Sequence, residues 1–181
     1  MTEDFLAVVE AKRFLGREFL TWLVYRLEEE GGRIIHDNDV FEFALGDRVV
    51  LSGGLGDRAR LTVVGEGDVR AEIGAGLRGG KLVDRARLII TRGERRWELA
   101  LDGGMLTYDA LRCPALGDKD NATAEDVRAS FENDLFLRLA DVEEVIGLLD
   151  ALFADFCQRR ATGTWRSETL PTLRGWVDGL R

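Results

Sequence analysis

Between Asp4 and Glu30 apolar residues recur at helical spacing, with Phe5, Val8, Val9, Phe14, Leu15, Phe19, Leu20, Leu23 and Leu27 on one side. This predicts a long amino-terminal helix over about 4–30, with Trp22 and Tyr25 packed against a sheet. Gly31-Gly32 supplies its stop, because glycine takes the left-handed C-cap at little cost. Gly16 lies inside the pattern and marks a possible break before Arg17.

From about 40 to 111 the period shortens to two. Val40–Leu45 alternates, and Gly46-Asp47 reads as a hairpin turn into Arg48–Ser52. Arg58–Val64 alternates again. Asp68–Arg78 reads as a short helix weakened by Gly74 and Gly76. Arg85–Thr91 and Arg95–Leu101 form the clearest hairpin, joined by Arg92-Gly93-Glu94. Met105–Leu111 adds a further strand. After Pro114 the helical period returns. Thr123-Ala124-Glu125-Asp126 resembles a capping box with Asp in place of the usual Glu. Apolar residues then run at helical spacing from Leu135 to Cys157. A last helix is expected over about Ser167–Leu180, with Pro171 in its first turn. Helix, antiparallel strands, then helices over 123–180 make a single α+β domain, with the helices on one face of the sheet.

The expected core joins Phe19, Trp22 and Leu23 to the sheet residues Leu61, Val63, Leu88, Ile90, Trp97, Leu99 and Leu101. Val145, Ile146, Leu149 and Phe153 close it from the helix after Pro114. On this assignment Arg85, Arg87, Ile89 and Thr91 point away from the core, together with Arg96 and Glu98 of the next strand.

Composition narrows the chemistry. The 181 residues hold one histidine, His36, and two cysteines, Cys113 and Cys157. His36-Asp37-Asn38-Asp39 reads as a turn. Histidine-dependent hydrolysis and zinc chemistry are poorly served by this inventory. No run reaches the roughly 18 apolar residues that a membrane span needs. No basic segment precedes an apolar stretch at the amino terminus, so a cytoplasmic protein is expected.

Two motif candidates fail on detail. Gly74 to Lys81 lacks the first glycine of a phosphate loop, Ala75 standing in its place, and the hydroxyl after Lys81 is replaced by Leu82. Asp118, Asp120, Glu125 and Asp126 could suit a carboxylate-metal nuclease. Their spacing is not that of a calcium loop, and a solvated loop leading into a helix start explains them more simply. No cofactor, metal or catalytic residue is therefore expected.

The charge is uneven. The net charge is −8, yet residues 46–101 carry 11 basic and 8 acidic groups. Of the 25 basic residues, 22 are arginine, whose planar fork suits phosphate.

Phe14-Leu15-Gly16-Arg17-Glu18-Phe19-Leu20-Thr21-Trp22-Leu23 resembles a segment of short relatives of the recombination-associated RdgC family. The element order to about Phe156 is similar to the carboxy-terminal half of those proteins. The resemblance implies an α+β, non-catalytic, nucleoid-associated protein that binds double-stranded DNA without sequence preference. It also implies self-association, as a dimer or a larger ring-like oligomer, and contributes Lys81 as a contact. The sheet pattern adds Arg58, Arg60, Arg85, Arg87, Arg92, Arg95 and Arg96, giving eight expected DNA-binding residues. A protein-interaction or assembly module without nucleic-acid binding is the alternative, favoured by the acidic bulk charge. Trp165, Leu170, Leu173, Trp176, Val177 and Leu180 are the apolar residues that a carboxy-terminal contact between copies would use.

Overall fold

A computed structural model describes residues 15–53, 60–65, 70–116 and 124–180, with side chains in the last stretch from Phe131 onward. The elements are α1 (Leu15–Glu29), β1 (Arg33–His36), β2 (Asp39–Ser52), β3 (Leu61–Val64), α2 (Arg70–Arg78), β4 (Leu82–Arg92), β5 (Arg95–Asp102), β6 (Thr107–Arg112), α3 (Ala124–Ala161) and α4 (Leu170–Gly179). A single π-helical turn, Trp165–Thr169, leads into α4. The fold is α+β: a six-stranded antiparallel sheet with an N-terminal helix and C-terminal helices. Residues 4–14 of the expected first helix lie outside the described residues.

The sheet order is β1-β2-β4-β5-β6, with β3 also paired to β2. Because β4 takes one edge of β2, β1 and β3 follow each other along the opposite edge. Two tight hairpins set the register. Asp37 and Asn38, at φ 49° and 68°, turn β1 into β2, as the turn reading of this segment expected. Both residue types tolerate the left-handed region, which the primed hairpin turns require. Gly93, at φ 59°, begins the two-residue turn that pairs Arg92 with Arg95.

The expected hairpin at Gly46-Asp47 is absent. Residues 39–52 form one strand, and its pairing with β4 shifts register between Leu45 and Val49. A glycine and an acid between two alternating runs fit a turn as well as a bulge. Pairing with β4 on both sides of the interruption selects the bulge. The helix expected after Pro114 is present. It is continuous over 38 residues from Ala124 to Ala161 and includes the whole Leu135–Cys157 run.

The core lies between the inner sheet face and the helices. Phe19, Trp22 and Leu23 of α1 pack with Leu88 and Ile90 of β4, Trp97 and Leu99 of β5, and Val145, Leu149 and Phe156 of α3. Leu61 and Phe153 are only partly buried at its margin. Thr21 is buried within this core and is fully satisfied: its hydroxyl donates to the Arg17 carbonyl (2.8 Å) and accepts from the Val83 amide (2.9 Å). The helix runs through Gly16, where an added Cβ would lie 2.2 Å from the Gly103 carbonyl oxygen. Gly16 therefore permits close approach; the turns before Leu15, where a break would show, lie outside the described residues. Gly74 plays the same part in α2, where an added Cβ would meet the Leu180 side chain at 2.6 Å.

The carboxy-terminal apolar residues are used within the chain. Trp165 and Leu180 are buried, and Leu173, Trp176 and Val177 pack partly against the core. Trp176 meets the Tyr25 ring edge-on and donates to Glu28 (3.0 Å).

Trp97 is 0% exposed, and its Nε1 donates to the Asp141 carbonyl (3.0 Å). Trp97→Ala is expected to lower unfolding free energy by about 3–5 kcal/mol, measured by urea titration. A loss below about 1 kcal/mol would show that this indole does not anchor α3.

Candidate functional site

The arginines of the middle segment divide into two groups. Arg92 and Arg95, at the β4–β5 hairpin, face α3. Arg92 pairs with Asp39 (2.6 Å) and Glu144 (2.8 Å). Arg95 pairs with Asp141 and with Glu144 (2.6 Å), and its guanidinium lies 4.7 Å from the Trp97 ring centroid. Burial acts against the Arg95 charge, but the hydrogen bonds and charges of Asp141 and Glu144 outweigh it and raise the pKa. These two arginines dock a helix, and the structure does not bring them to the outer sheet face.

Arg85, Arg87 and Arg96 do lie on that face. Arg85 bonds both carboxylate oxygens of Asp109 (2.7 and 2.5 Å), and Arg87 reaches Asp47 at 3.2 Å. Arg96 pairs with Glu98 (2.7 Å) on the same strand. The Arg96 hydrogen bond is the largest influence on Glu98 and holds its carboxyl below the usual range. Lys81 stands just before β4 and reaches the Gly53 carbonyl (3.3 Å). Arg58 lies outside the described residues. Asp118 and Asp120 do so as well, and the side chains of Glu125 and Asp126 are not among those described.

Arg60 reaches Asp84 at 2.9 Å, and Arg17 of α1 meets the same carboxylate at 2.5 Å. Asp84 is buried with two cations on it. Burial is the largest influence and raises its pKa, but the Arg60 hydrogen bond and the Arg17 charge together prevail and lower it.

A concavity of about 300 Å³ opens on the outer face, lined by Arg48, Arg60, Arg85, Arg87, Asp47 and Asp109 over Val50, Ala100 and Ala110. It forms because the residues beneath are small. Ala100 pairs with Arg87 on one side and Asp109 on the other, so all three share one row of the face. Ala100 is only 8% exposed because longer neighbours cover it. Two ladder irregularities frame the basin. One is the β2 bulge around Asp47 and Arg48. The other is the shift between β5 and β6 at Glu98–Ala100, where Ala110 is held at φ 52°. Gly46 makes room in the first: an added Cβ would lie 2.7 Å from Arg87 Cγ.

Arg48 was absent from the expected set. Its signal was present in the sequence, but the assumed hairpin placed it at the start of a new strand with no predicted neighbour. Asp47 and Asp109 were missed because pairing between strands cannot be read from alternation alone.

A larger cleft of about 810 Å³ borders α1, β2 and α2, lined mainly by apolar side chains and glycines. Among the described residues no group of three His, Cys, Asp or Glu side chains could hold a metal ion. No helix among them is long and apolar enough to cross a membrane. No family model, curated protein or solved structure matches the chain.

The lowered Asp84 pKa has a defined sign. Its stabilising contribution is complete above the ordinary carboxylate value of 3.8 and is lost as pH falls through the lower folded value. Melting temperature followed from pH 6 to 2 should fall with acidification, and Asp84→Asn should flatten the part of that fall below about pH 4. An unchanged profile in the variant would show that Asp84 does not contribute to acid sensitivity.

Proposed function

We propose that the protein is a non-catalytic module that binds the phosphate backbone of double-stranded DNA through its outer sheet face. The observation that carries this reading is the gathering of Arg48, Arg60, Arg85 and Arg87 around one concavity, with two carboxylates lining it. Arg96 extends the basic surface along β5. Arg92 and Arg95 drop out of the proposed contact, since α3 engages both. The expected eight-residue surface thus keeps Arg60, Arg85, Arg87 and Arg96, with Arg48 added, Lys81 at the margin and Arg58 outside the described residues.

The exposed ion pairs of Arg85, Arg87 and Arg96 do not bar phosphate, while Arg60 stays with the buried Asp84. Exposed pairs contribute about 0–1 kcal/mol, so replacing a carboxylate with a phosphate oxygen is inexpensive. Phosphate contacts position a ligand without reading bases, so binding would be sequence-independent. The RdgC resemblance points the same way, towards a nucleoid-associated role in recombination or replication.

At low salt the protein should shift random duplex DNA in a gel assay. Replacing Arg85 and Arg87 together with Ala should weaken binding equally for unrelated sequences and reduce the salt slope by about 0.9 for each phosphate no longer neutralised. No shift by the unmodified protein at low salt would reject the DNA reading.

A second reading, assembly through copies of the same chain, is favoured by the first half of α3. Phe131 and Phe136 are 68% and 70% exposed, and Leu135, Leu137 and Leu139 are exposed beside them. Phe131, Leu135 and Leu139 run at four-residue spacing along one line, while Phe136 and Leu137 widen the patch. A helix apolar around much of its circumference belongs in a covered position. On the scale of aromatic and aliphatic side chains the patch offers on the order of 500 Å². Two copies meeting there would approach the roughly 1,000 Å² of a specific interface. Sedimentation at micromolar concentration should give a dimer mass, and Phe131→Ser with Phe136→Ser should return the monomer at 20.2 kDa. A monomer before any substitution would remove this reading.

A further inference from the structure

We propose that the basin is a seat for one phosphomonoester group, in which Asp47 and Asp109 hold the arginine donors until phosphate replaces them. This deepens the outer-face reading, since it rests on the same arginines, and it names a different ligand from a continuous backbone.

Size comes first. About 300 Å³ is the lower end of small-molecule sites and accommodates one phosphate group. Charge comes second. Four guanidinium groups and two carboxylates line the basin, and Arg60 also holds Asp84, which Arg17 pairs as well, so five cations exceed three carboxylates by two inside a chain of net −8. A monoester at neutral pH carries close to two negative charges, and a backbone diester carries one. The excess therefore matches the terminal or free phosphate better.

The donor geometry agrees. Arg85 spends one nitrogen, Nη2, on both oxygens of Asp109. Arg87 reaches Asp47 through Nη1 alone, at the long distance of 3.2 Å. Among the described residues Arg48 has no ion-pair partner. A planar carboxylate bound this way leaves guanidinium donors unused, and a tetrahedral phosphate offers more acceptor oxygens to take them up.

The backbone around the basin departs from regular pairing on both sides. The β2 bulge brings Asp47 and Arg48 to the rim, and Ala110 holds a left-handed φ beside Asp109. A non-glycine residue in that region costs roughly 1 kcal/mol or more, and such strain concentrates at ligand sites. Gly46 keeps the space that Arg87 occupies.

The experiment is calorimetric titration with inorganic phosphate, a nucleoside monophosphate, and short duplexes with either a 5′-phosphate or a 5′-hydroxyl. Inorganic phosphate and the monophosphate should bind, and the 5′-phosphorylated duplex should bind more tightly than its hydroxyl counterpart. Asp109→Asn should tighten phosphate binding by up to about fivefold, the factor equivalent to the 1 kcal/mol upper range of an exposed pair. Asp47→Asn should act in the same direction, and Arg85→Lys, which keeps the charge but loses the fork, should weaken binding. Weaker or unchanged phosphate binding in both Asp variants, with native melting temperatures, would overturn the proposal.

Closed circular DNA separates the two readings. If it binds and inorganic phosphate does not, the seat fails while backbone binding stands. If phosphate binds and circular DNA does not, backbone binding fails and the seat stands.

Discussion

The docking of α3 onto the β4–β5 hairpin through Trp97 is the contact on which most of the architecture depends. The indole fills the inner face of β5, and its N–H is satisfied by the Asp141 carbonyl. Arg95 lies against the same ring and pairs with Asp141 and Glu144, while Arg92 adds a second grip on Glu144. One turn of helix thus supplies both the acceptor for a buried donor and the countercharges for two cations. Below this point α3 buries Val145, Leu149 and Phe156; before it, Phe131, Leu135 and Phe136 are exposed. Among the described side chains, the clamp therefore divides α3 into a stretch that completes the core and a stretch, beginning at Phe131, that does not contribute to it.

The fold was legible wherever period and burial agree. Leu88, Ile90, Trp97 and Leu99 recur at every second position on strands that have one covered face, and all four are buried as that period requires. The same pattern placed Arg85 and Arg87 correctly on the outer face. Legibility failed where a local signal has two meanings. Gly46-Asp47 suits a hairpin turn and a bulge alike, and only the β4 partner decides between them. Arg33–His36 went unrecognised because four residues with adjacent isoleucines show no usable period. Arg92 and Arg95 were misread for a different reason: their partners lie about 50 residues away, and nothing local indicates that a helix will cover the hairpin.

The same nonlocality explains how the candidate site was part seen and part missed. Arginine spacing shows which guanidinium groups share a strand face, but not which acids meet them. Asp109 reaches Arg85 from β6, two strands across the sheet, and Asp47 reaches Arg87 from a bulge. Pairing converts a long basic surface into a smaller one, because charges engaged with α3 stay with α3. What remains is a basin whose positive excess is modest and whose donors are partly occupied.

An acidic protein can still offer such a basin an anion. Interactions between exposed charges are screened beyond about 8 Å at physiological ionic strength. A ligand at the outer face therefore responds mainly to Arg48, Arg60, Arg85 and Arg87, to Asp47 and Asp109, and to the Asp84 that holds Arg60. The distant acids act instead on approach, slowing the encounter at low salt and losing that influence as salt rises. Bulk charge and local charge thus have opposite signs and different ranges.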